Sequence, residues 1–216
     1  MKLKAALQYR RLLLRTRPRR YVELFRTIYR RRRRSIVEIG TWNGVHAEQM
    51  IRTAAAHADI AQVRYRGFDL FEHLTDEQLR GEFSKRPPPY ETVLERLRNT
   101  GADVALIRGN TRVTLPQSTD VLSAADLVFI DGGHSIETIT ADWEAVRAAI
   151  QPGTTVIFDD YYPDPEPALA GLGCQSIIDG LERSNYQVEV LPTTDAFPQP
   201  WGVLRVRMAR VTFRTS

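Results

Sequence analysis

The stretch from Ser35 to Gly44 limits the fold more strongly than any other part of the sequence. It reads as a short apolar strand with the acidic residue Glu38, followed by Gly40 and Gly44 in a tight turn that opens a helix. This order is typical of an open α/β sheet, which binds nucleotide-like ligands at the carboxyl end of its first strand. The glycines let the backbone approach a ligand, and the helix amino end supplies unpaired N–H groups. The sequence therefore predicts an α/β fold with a ligand site at this turn.

The composition restricts the class of protein. A length of 216 residues with 43% hydrophobic and 26% charged residues fits one globular domain, alone or with an appendage. Cys174 is the only cysteine, which excludes an intrachain disulfide and favours a reducing, cytoplasmic location. No apolar run approaches the roughly 20 residues of a transmembrane helix. Arg10 and Arg11 interrupt the apolar stretch that a signal peptide would need.

Charge divides the chain near residue 34. Residues 1–34 contain 14 Lys and Arg residues and one acidic residue, whereas residues 35–216 carry a net charge of −9. Apolar residues three and four positions apart predict helices in the basic segment, with Pro18 in the first turn of the second helix. We therefore predict a basic helical arm, residues 1–34, and a main domain, residues 35–216.

Three roles for the arm stay open at this stage. Its helices could cap the sheet or join two subunits in a homo-oligomer. The run Arg30–Arg34 could bind nucleic acid or another anionic surface. The composition, rich in arginine and poor in acids, also resembles that of a targeting peptide.

Further apolar runs predict the remaining strands. They lie at residues 63–69, 104–107, 127–131 and 154–158, with a last antiparallel pair at 186–191 and 202–207. Helical patterns between the earlier strands, including a short one near Asp76–Phe83, indicate a mostly parallel sheet. Three successive prolines, Pro87–Pro89, cannot join a helix or a central strand and predict a surface loop beside the cleft. This loop could form a lid over the substrate or be a plain connector.

Polar residues follow several of these strands at the edge where ligands bind. Asp69 ends the second strand, where an acid can accept hydrogen bonds from ribose hydroxyl groups; the alternative is a helix-cap or turn aspartate. Asn110 follows the third strand, where it can read an adenine edge.

Three carboxylates are predicted to converge at the same edge. Asp131, Asp159 and Asp160 fall just beyond strands that should be neighbours, about 4.8 Å apart. Clustered carboxylates repel one another unless a cation, protons or nearby Lys and Arg residues compensate them, and neither segment supplies a local Lys or Arg. A hard divalent cation such as Mg²⁺ is the natural solution. His134 lies three residues after Asp131 and can point into the same space. The alternative is that these aspartates are turn and solvated loop residues.

Four segments that occur in order resemble a known family. They are Val37–Gly44, Gly67–Phe71, Phe129–Ser135 and Phe158–Tyr161. Together they resemble the small class I S-adenosylmethionine (SAM)-dependent O-methyltransferases of the macrocin O-methyltransferase-like group, which modify sugar hydroxyl groups on natural products. The resemblance covers about residues 35–207. It implies a Rossmann-like seven-stranded, mostly parallel sheet with helices on both faces and SAM across the first three strands. The basic arm departs from this pattern.

The resemblance also implies roles for particular residues. By motif match, Glu38, Gly40 and Asp69 are expected to bind SAM; the full predicted set of SAM-binding residues also includes Thr41, Gly44, Asn110 and Asp131. The expected ligands of the divalent metal are Asp131, Asp159 and Asp160. His134 is the expected general base for attack of an acceptor hydroxyl on the methyl group of SAM, with Asp131 as the fallback. Tyr161, Tyr162 and Trp201 are candidate walls for the small hydroxylated acceptor.

Three other functions remain as alternatives. A nucleic-acid methyltransferase would use the arm to hold phosphates, although no Asn-Pro-Pro-Tyr-like motif is present. A non-catalytic binding protein on the same scaffold would contact nucleic acid or a membrane through the basic arm. A dinucleotide oxidoreductase is disfavoured because Gly40 and Gly44 lack the third glycine of the Gly-x-Gly-x-x-Gly fingerprint.

Overall fold

The computed structural model describes residues 2–82, 85–164 and 166–214. Its strands are β1 (Ser35–Ile39), β2 (Arg64–Asp69), β3 (Asp103–Arg108), β4 (Leu127–Ile130), β5 (Thr155–Tyr161), β6 (Tyr186–Val190), β7 (Asp195–Gln199) and β8 (Gly202–Phe213). Its α-helices are α1 (Lys2–Arg15), α2 (Tyr21–Arg30), α3 (Val45–Ala55), α4 (Asp76–Gly81), α5 (Tyr90–Arg98), α6 (Thr111–Thr114), α7 (Thr119–Ser123), α8 (Ile136–Ala149) and α9 (Gln175–Gly180). The predicted helix near residue 76 ends at Gly81, and its expected last residue, Phe83, lies outside the described residues.

The strands form one mixed sheet in the order β3-β2-β1-β4-β5-β8-β6. The first five pair in parallel, and β8 lies antiparallel between β5 and β6. The chain moves outward from β1 to β3 and then returns to place β4 on the other side of β1. This reversal opens a crevice at the carboxyl ends of β1 and β4, where ligands bind in sheets of this kind. The predicted Rossmann-like α/β fold is thereby confirmed.

Three strands differ clearly from the sequence prediction. β8 continues past the predicted end at residue 207 to Phe213, and β6 pairs with this added part. The predicted connection between the last two strands contains β7, which forms a hairpin with the first part of β8. Pro198 obscured this strand in the sequence, and an edge position tolerates it because its missing N–H is not needed. β5 also continues past Phe158 to Tyr161, with a register shift against β8. Asp159 and Asp160 therefore lie within the strand, not beyond it.

Helices cover both faces of the sheet. On one face α2, α3 and α5 pack over β1 and β2, and on the other α8 and α9 pack over β4 and β5. On helix α8, the apolar residues Ile139, Trp143 and Val146 form a buried stripe. Ser135 begins it by accepting a hydrogen bond from the N–H of Thr138 at 3.2 Å. These layers leave the carboxyl edge of the sheet open for the site.

The basic segment contributes to the same core. On α2, Leu24, Phe25 and Ile28 have no exposed surface, and Pro18 lies in the connection before this helix and not in its first turn. Arg33 donates hydrogen bonds at 2.8 Å to the carbonyl oxygen of Gly153 and to a nearby threonine hydroxyl. The division at residue 34, the homo-oligomer and the anionic partner stay predictions. Within the part of the chain that the structure describes, no helix is long and apolar enough to cross a membrane.

Candidate active site

A cavity of about 740 Å³ lies at the carboxyl edge of the sheet. The predicted site residues that line it are Glu38, Gly40, Thr41, Asp69, Asn110, Asp131, His134 and Asp160. Those outside its lining are Gly44, Asp159, Tyr161, Tyr162 and Trp201. The structure thus brings the expected cofactor residues together with the expected catalytic residues. It does not place the three expected acceptor-wall residues there.

The two glycines of the first turn have different reasons to be glycine. Gly40 has a φ of +92°, and a Cβ at this position would lie 2.0 Å from the backbone oxygen of Asp131. The turn between β1 and α3 is therefore in direct contact with the end of β4. Gly44 has a φ of +73°, and its Cβ would lie 2.9 Å from Val93 on α5. Gly44 serves helix packing, which explains why it does not reach the cavity.

Glu38 is buried at the end of β1. It accepts a hydrogen bond from the hydroxyl of Tyr65, which lies 3.2 Å from Oγ1 of Thr41. Burial raises the pKa of Glu38 to about 8, although the hydrogen bond from Tyr65 lowers it. The carboxyl group is therefore mostly protonated at neutral pH, so it offers a cavity ligand a hydrogen-bond donor as well as an acceptor.

Asp69, at the end of β2, holds the turn between β1 and α3 in place through hydrogen bonds. Its Oδ2 accepts a hydrogen bond from the N–H of Trp42 at 2.6 Å, and its Oδ1 accepts one from Phe71 at 2.9 Å. Burial raises the pKa of Asp69 against these hydrogen bonds. At the end of β3, the side-chain oxygen of Asn110 caps α6 by accepting a hydrogen bond from Arg112 at 3.0 Å. Asp69 and Asn110, which are predicted to contact the ribose and the adenine, therefore accept hydrogen bonds from the backbone of loops beside the cavity.

The three aspartates converge as the sequence predicts. Oxygens of Asp131, Asp159 and Asp160 lie within 4.8 Å of one another. Their compensating charge, however, comes from a residue 139 positions away from Asp159. Arg20 donates from Nε and Nη2 to the two oxygens of Asp159, at 2.6 and 2.7 Å. Tyr21 donates its hydroxyl to Oδ2 of Asp131 at 2.6 Å. The cluster thus has a basic partner that its own segments do not contain, because Arg20 lies far from all three aspartates in the sequence.

The aspartates differ in their protonation. Burial raises the pKa of Asp131 well above its ordinary value, and the charges of Asp159 and Asp160 raise it further. Burial also acts to raise the pKa of Asp159, but the charge of Arg20 and the hydrogen bonds from Arg20, the backbone of Asp160 and Asp131 together lower that pKa. Burial and the charge of Asp159 raise the pKa of Asp160 to about 6. The contact with Arg20 therefore sets Asp159 apart from its two neighbours, whose pKa values are raised.

Three parts of the chain supply cavity residues that the sequence did not predict: the basic segment, the start of α3 and β7. The ring of His46 stacks on Tyr21 with centroids 3.8 Å apart, and burial lowers the pKa of His46 to about 4. Pro18 and Phe197 complete this side of the cavity. Their place depends on contacts between distant segments, and no local sequence pattern signals it.

Asp142 is a further cavity residue, on α8. Its side chain is buried, and Oδ1 has no hydrogen-bond partner among the described residues. Burial raises the pKa of Asp142 to about 7. A sequence signal for it exists: the residue stands between Ile139 and Trp143 on the apolar stripe of the helix. An acid in that position indicates a side chain that faces inward for a reason other than packing.

Comparisons with known proteins agree with this geometry. Residues 37–161, more than half of the chain, match the model of a family described as a methyltransferase domain. No curated protein matches the sequence. Among solved structures, the O-methyltransferase TomG from Streptomyces achromogenes, involved in tomaymycin synthesis and in complex with SAM, is 20% identical, covers 98% of this chain and 89% of its own, and has a TM-score of 0.59.

Two other solved structures have the same fold. An O-methyltransferase from Bacillus cereus in complex with S-adenosylhomocysteine (SAH) is 15% identical, with 98% of this chain and 90% of that chain covered and a TM-score of 0.60. CalS11, a TDP-rhamnose 3'-O-methyltransferase of calicheamicin biosynthesis, is 19% identical, with 95% and 93% covered and a TM-score of 0.56. The family match confirms the resemblance of the sequence motifs to methyltransferases: the chain belongs to the methyltransferase-domain family.

Proposed function

We propose that this methyltransferase moves the methyl group of SAM to a hydroxyl oxygen of a small acceptor of the sugar or natural-product type. The observation that carries the proposal is a single cavity into which both halves of the site open. Gly40 and Asp69 lie at one part of its wall, and His134 and Asp160 lie at another. Two similar structures support the acceptor class: TomG, an O-methyltransferase involved in tomaymycin synthesis, and CalS11, a TDP-rhamnose 3'-O-methyltransferase.

The cofactor half of the proposal assigns SAM to the ends of β1, β2 and β3. Asp69 accepts hydrogen bonds from the ribose hydroxyl groups, and Asn110 reads the adenine edge. Gly40 lets the backbone approach the ligand, while Glu38 and Thr41 form the wall beneath it. Asp131 closes this half beside the reacting methyl group. Gly44 is not among the proposed cofactor contacts, because its Cα faces α5.

In the half of the site where methyl transfer takes place, we assign the proton transfer to His134. Its Nε2 lies 3.4 Å from Oδ2 of Asp160, a contact that orients the imidazole ring. His134 accepts the proton of the acceptor hydroxyl as the oxygen attacks the methyl carbon, and SAM leaves as SAH. Holding oxygen, carbon and sulfur in line supplies much of the remaining acceleration. Asp131 is the alternative base.

A divalent cation, Mg²⁺ in the first instance, belongs to the same proposal. The donor set fits it, because Asp131, Asp159 and Asp160 offer oxygen ligands within 4.8 Å of one another. A cation held by these three residues would lower the pKa of the acceptor hydroxyl and orient its oxygen. The fit is incomplete in one respect, since Arg20 already contacts both oxygens of Asp159.

The acceptor side differs from the sequence expectation. Tyr161, Tyr162 and Trp201 do not line the cavity, so we assign the acceptor wall to Pro18, Tyr21 and Phe197 instead. Aromatic and proline rings suit the apolar face of a sugar or another ring. The segment before α2 and the β7–β8 hairpin would then select the acceptor.

Calorimetric titration with SAH tests the cofactor half of the proposal. We expect micromolar binding, weakened about 10- to 100-fold by Asp69→Asn, because a hydrogen bond to a charged group contributes about 1.5–3 kcal/mol. Asp103→Asn is the matched control, since Asp103 is exposed at the opposite end of the neighbouring strand and pairs with Arg66. Absence of SAH binding by the folded wild-type protein would contradict the proposal. Methyl transfer from labelled SAM to a panel of sugars, phenols and amines then tests the acceptor atom.

A further inference from the structure

Arg20 makes an unusually complete contact with one aspartate of the site. It stands just before α2, and its side chain is 10% exposed, against 1% for Asp159. Nε and Nη2 each donate a hydrogen bond to a different oxygen of the carboxylate, at 2.6 and 2.7 Å. This two-point contact matches the planar guanidinium to the carboxylate and is among the stronger ion pairs that proteins form.

The position of Arg20 is itself held by a third element. Both oxygens of Asp195, at the start of β7, accept hydrogen bonds from backbone N–H groups: from Arg19 at 2.7 Å and from Arg20 at 2.8 Å. Nη1 of Arg20 lies 3.5 Å from Oδ2 of the same residue. The hairpin thus fixes the segment before α2 in the orientation that directs the guanidinium into the site.

The next residue engages a second aspartate. The hydroxyl of Tyr21 donates to Oδ2 of Asp131 at 2.6 Å and lies 3.2 Å from Oδ2 of Asp159. Two consecutive residues of the basic segment therefore contact two of the three carboxylates that would hold a cation. A magnesium ion binds carboxylate oxygens at about 2.0–2.1 Å, which would place it beside a guanidinium bound to the same oxygens. Two cations so close repel each other strongly in a buried site.

We infer that Arg20 and a divalent cation compete for Asp159, so that Arg20 controls how tightly the chain binds the cation. This inference rests on the proposed metal site and deepens it. Arg20 is a positioning residue that acts through Asp159. In the absence of the cation it compensates the carboxylate charge, and cation binding requires at least one of its two hydrogen bonds to be given up.

A purely structural role makes a different prediction. If Arg20 only anchors α2 to the sheet, its removal lowers stability and leaves cation affinity unchanged or weaker. If it competes, its removal raises cation affinity. The direction of the change therefore separates the two roles, and no enzymatic assay is needed.

The experiment measures Mn²⁺ binding by electron paramagnetic resonance of the free ion, with full-length protein. We expect Arg20→Met to bind Mn²⁺ at least about tenfold more tightly than the wild type, a change of about 1.4 kcal/mol, because the substitution removes the positive charge that competes for Asp159. Arg20→Lys keeps the charge but loses the two-point contact, and its affinity should lie between the two. The matched control is Arg205→Met, because Arg205 forms an exposed ion pair with Asp164 at 2.9 Å.

An equal or weaker affinity in Arg20→Met, or no Mn²⁺ binding by that variant, overturns the inference. If circular dichroism shows that this variant is unfolded, Arg20→Lys is compared with the wild type instead. A higher Mn²⁺ affinity in Arg20→Lys supports the inference, and an equal or weaker one overturns it. Adding Asp159→Asn to Arg20→Met should abolish the gain, and a gain that persists places the ion elsewhere and also overturns it. SAH titration of the same samples without metal keeps the two proposals apart: SAH binding without a gain in Mn²⁺ affinity rejects competition and leaves the cofactor proposal standing.

Discussion

Nε2 of His134 lies 3.4 Å from Oδ2 of Asp160, on the wall of the cavity that Gly40 and Asp69 also line. The strand carrying Asp160 has a φ of +55° at this residue and a register shift against β8. The main chain thereby adopts a conformation that favours glycine in order to place an aspartate beside the histidine. Such local strain is often found at functional sites.

His134→Gln should lower the rate of methyl transfer by about 10²- to 10⁴-fold, because glutamine cannot accept the hydroxyl proton. SAH affinity should stay unchanged, since the change lies in the reacting half of the site. Rates with an acceptor found by screening, together with calorimetric SAH titration, check this. His73→Gln, at an exposed position, is the control. A wild-type rate in His134→Gln would move the base to another residue.

The raised pKa of Glu38 should appear as a pH dependence of stability. Its ordinary pKa is 4.5 and burial raises it to about 8. Between these values the unfolded chain has lost a proton that the folded protein keeps, so this residue's stabilising contribution falls as pH rises, by at most about 1.4 kcal/mol per pH unit. Glu38→Gln should remove this slope. Urea unfolding of both proteins from about pH 5 to about pH 8 measures the difference.

The control for that measurement is Glu95→Gln, on the exposed side of α5. It should leave the pH dependence of the wild type intact. A constant difference in unfolding free energy between the wild type and Glu38→Gln across the range would show that Glu38 titrates normally.

Substituting Gly40 and Gly153 by alanine separates two costs to stability, that of the backbone conformation and that of a steric clash. Their φ values are +92° and +90°, but a Cβ at Gly40 would lie 2.0 Å from the oxygen of Asp131, whereas nothing lies within 4 Å at Gly153. Gly153→Ala should cost about 1–2 kcal/mol from the backbone alone. Gly40→Ala should cost clearly more or prevent folding. Thermal unfolding checks this, at about 2–4 °C per kcal/mol for a chain of this size. Equal losses would contradict the close contact between β1 and β4.

Phe25 tests whether the basic segment is part of the domain. It has no exposed surface on α2, so Phe25→Ala should cost about 3–5 kcal/mol of unfolding free energy. Leu14→Ala, at a residue that is 75% exposed on α1, should cost less than about 0.5 kcal/mol. Urea unfolding measures both. A neutral Phe25→Ala would mean that residues 1–34 form a separate arm, as the charge pattern predicts.

The first turn shows how much of the site could be predicted locally. Apolar residues up to Ile39, then Gly40 and Gly44, indicate strand, turn and helix because each preference acts over a few neighbouring residues. The same holds for the stripe on α8 and for the acids at strand ends. The parallel sheet then brings those ends to one edge, so the convergence of Asp131 with Asp160 follows from the pattern as well.

The sequence by itself therefore determined the α/β fold, the position of the cavity and most of the predicted residues that line it. Only the tertiary structure decided what surrounds the carboxylates. Arg20 reaches Asp159 across 139 positions, and Phe197 reaches the cavity through a hairpin that Pro198 obscured. Periodicity reports which side of an element is buried, but it carries no information on which distant segment covers that side. The charge balance of the site depends on that covering segment.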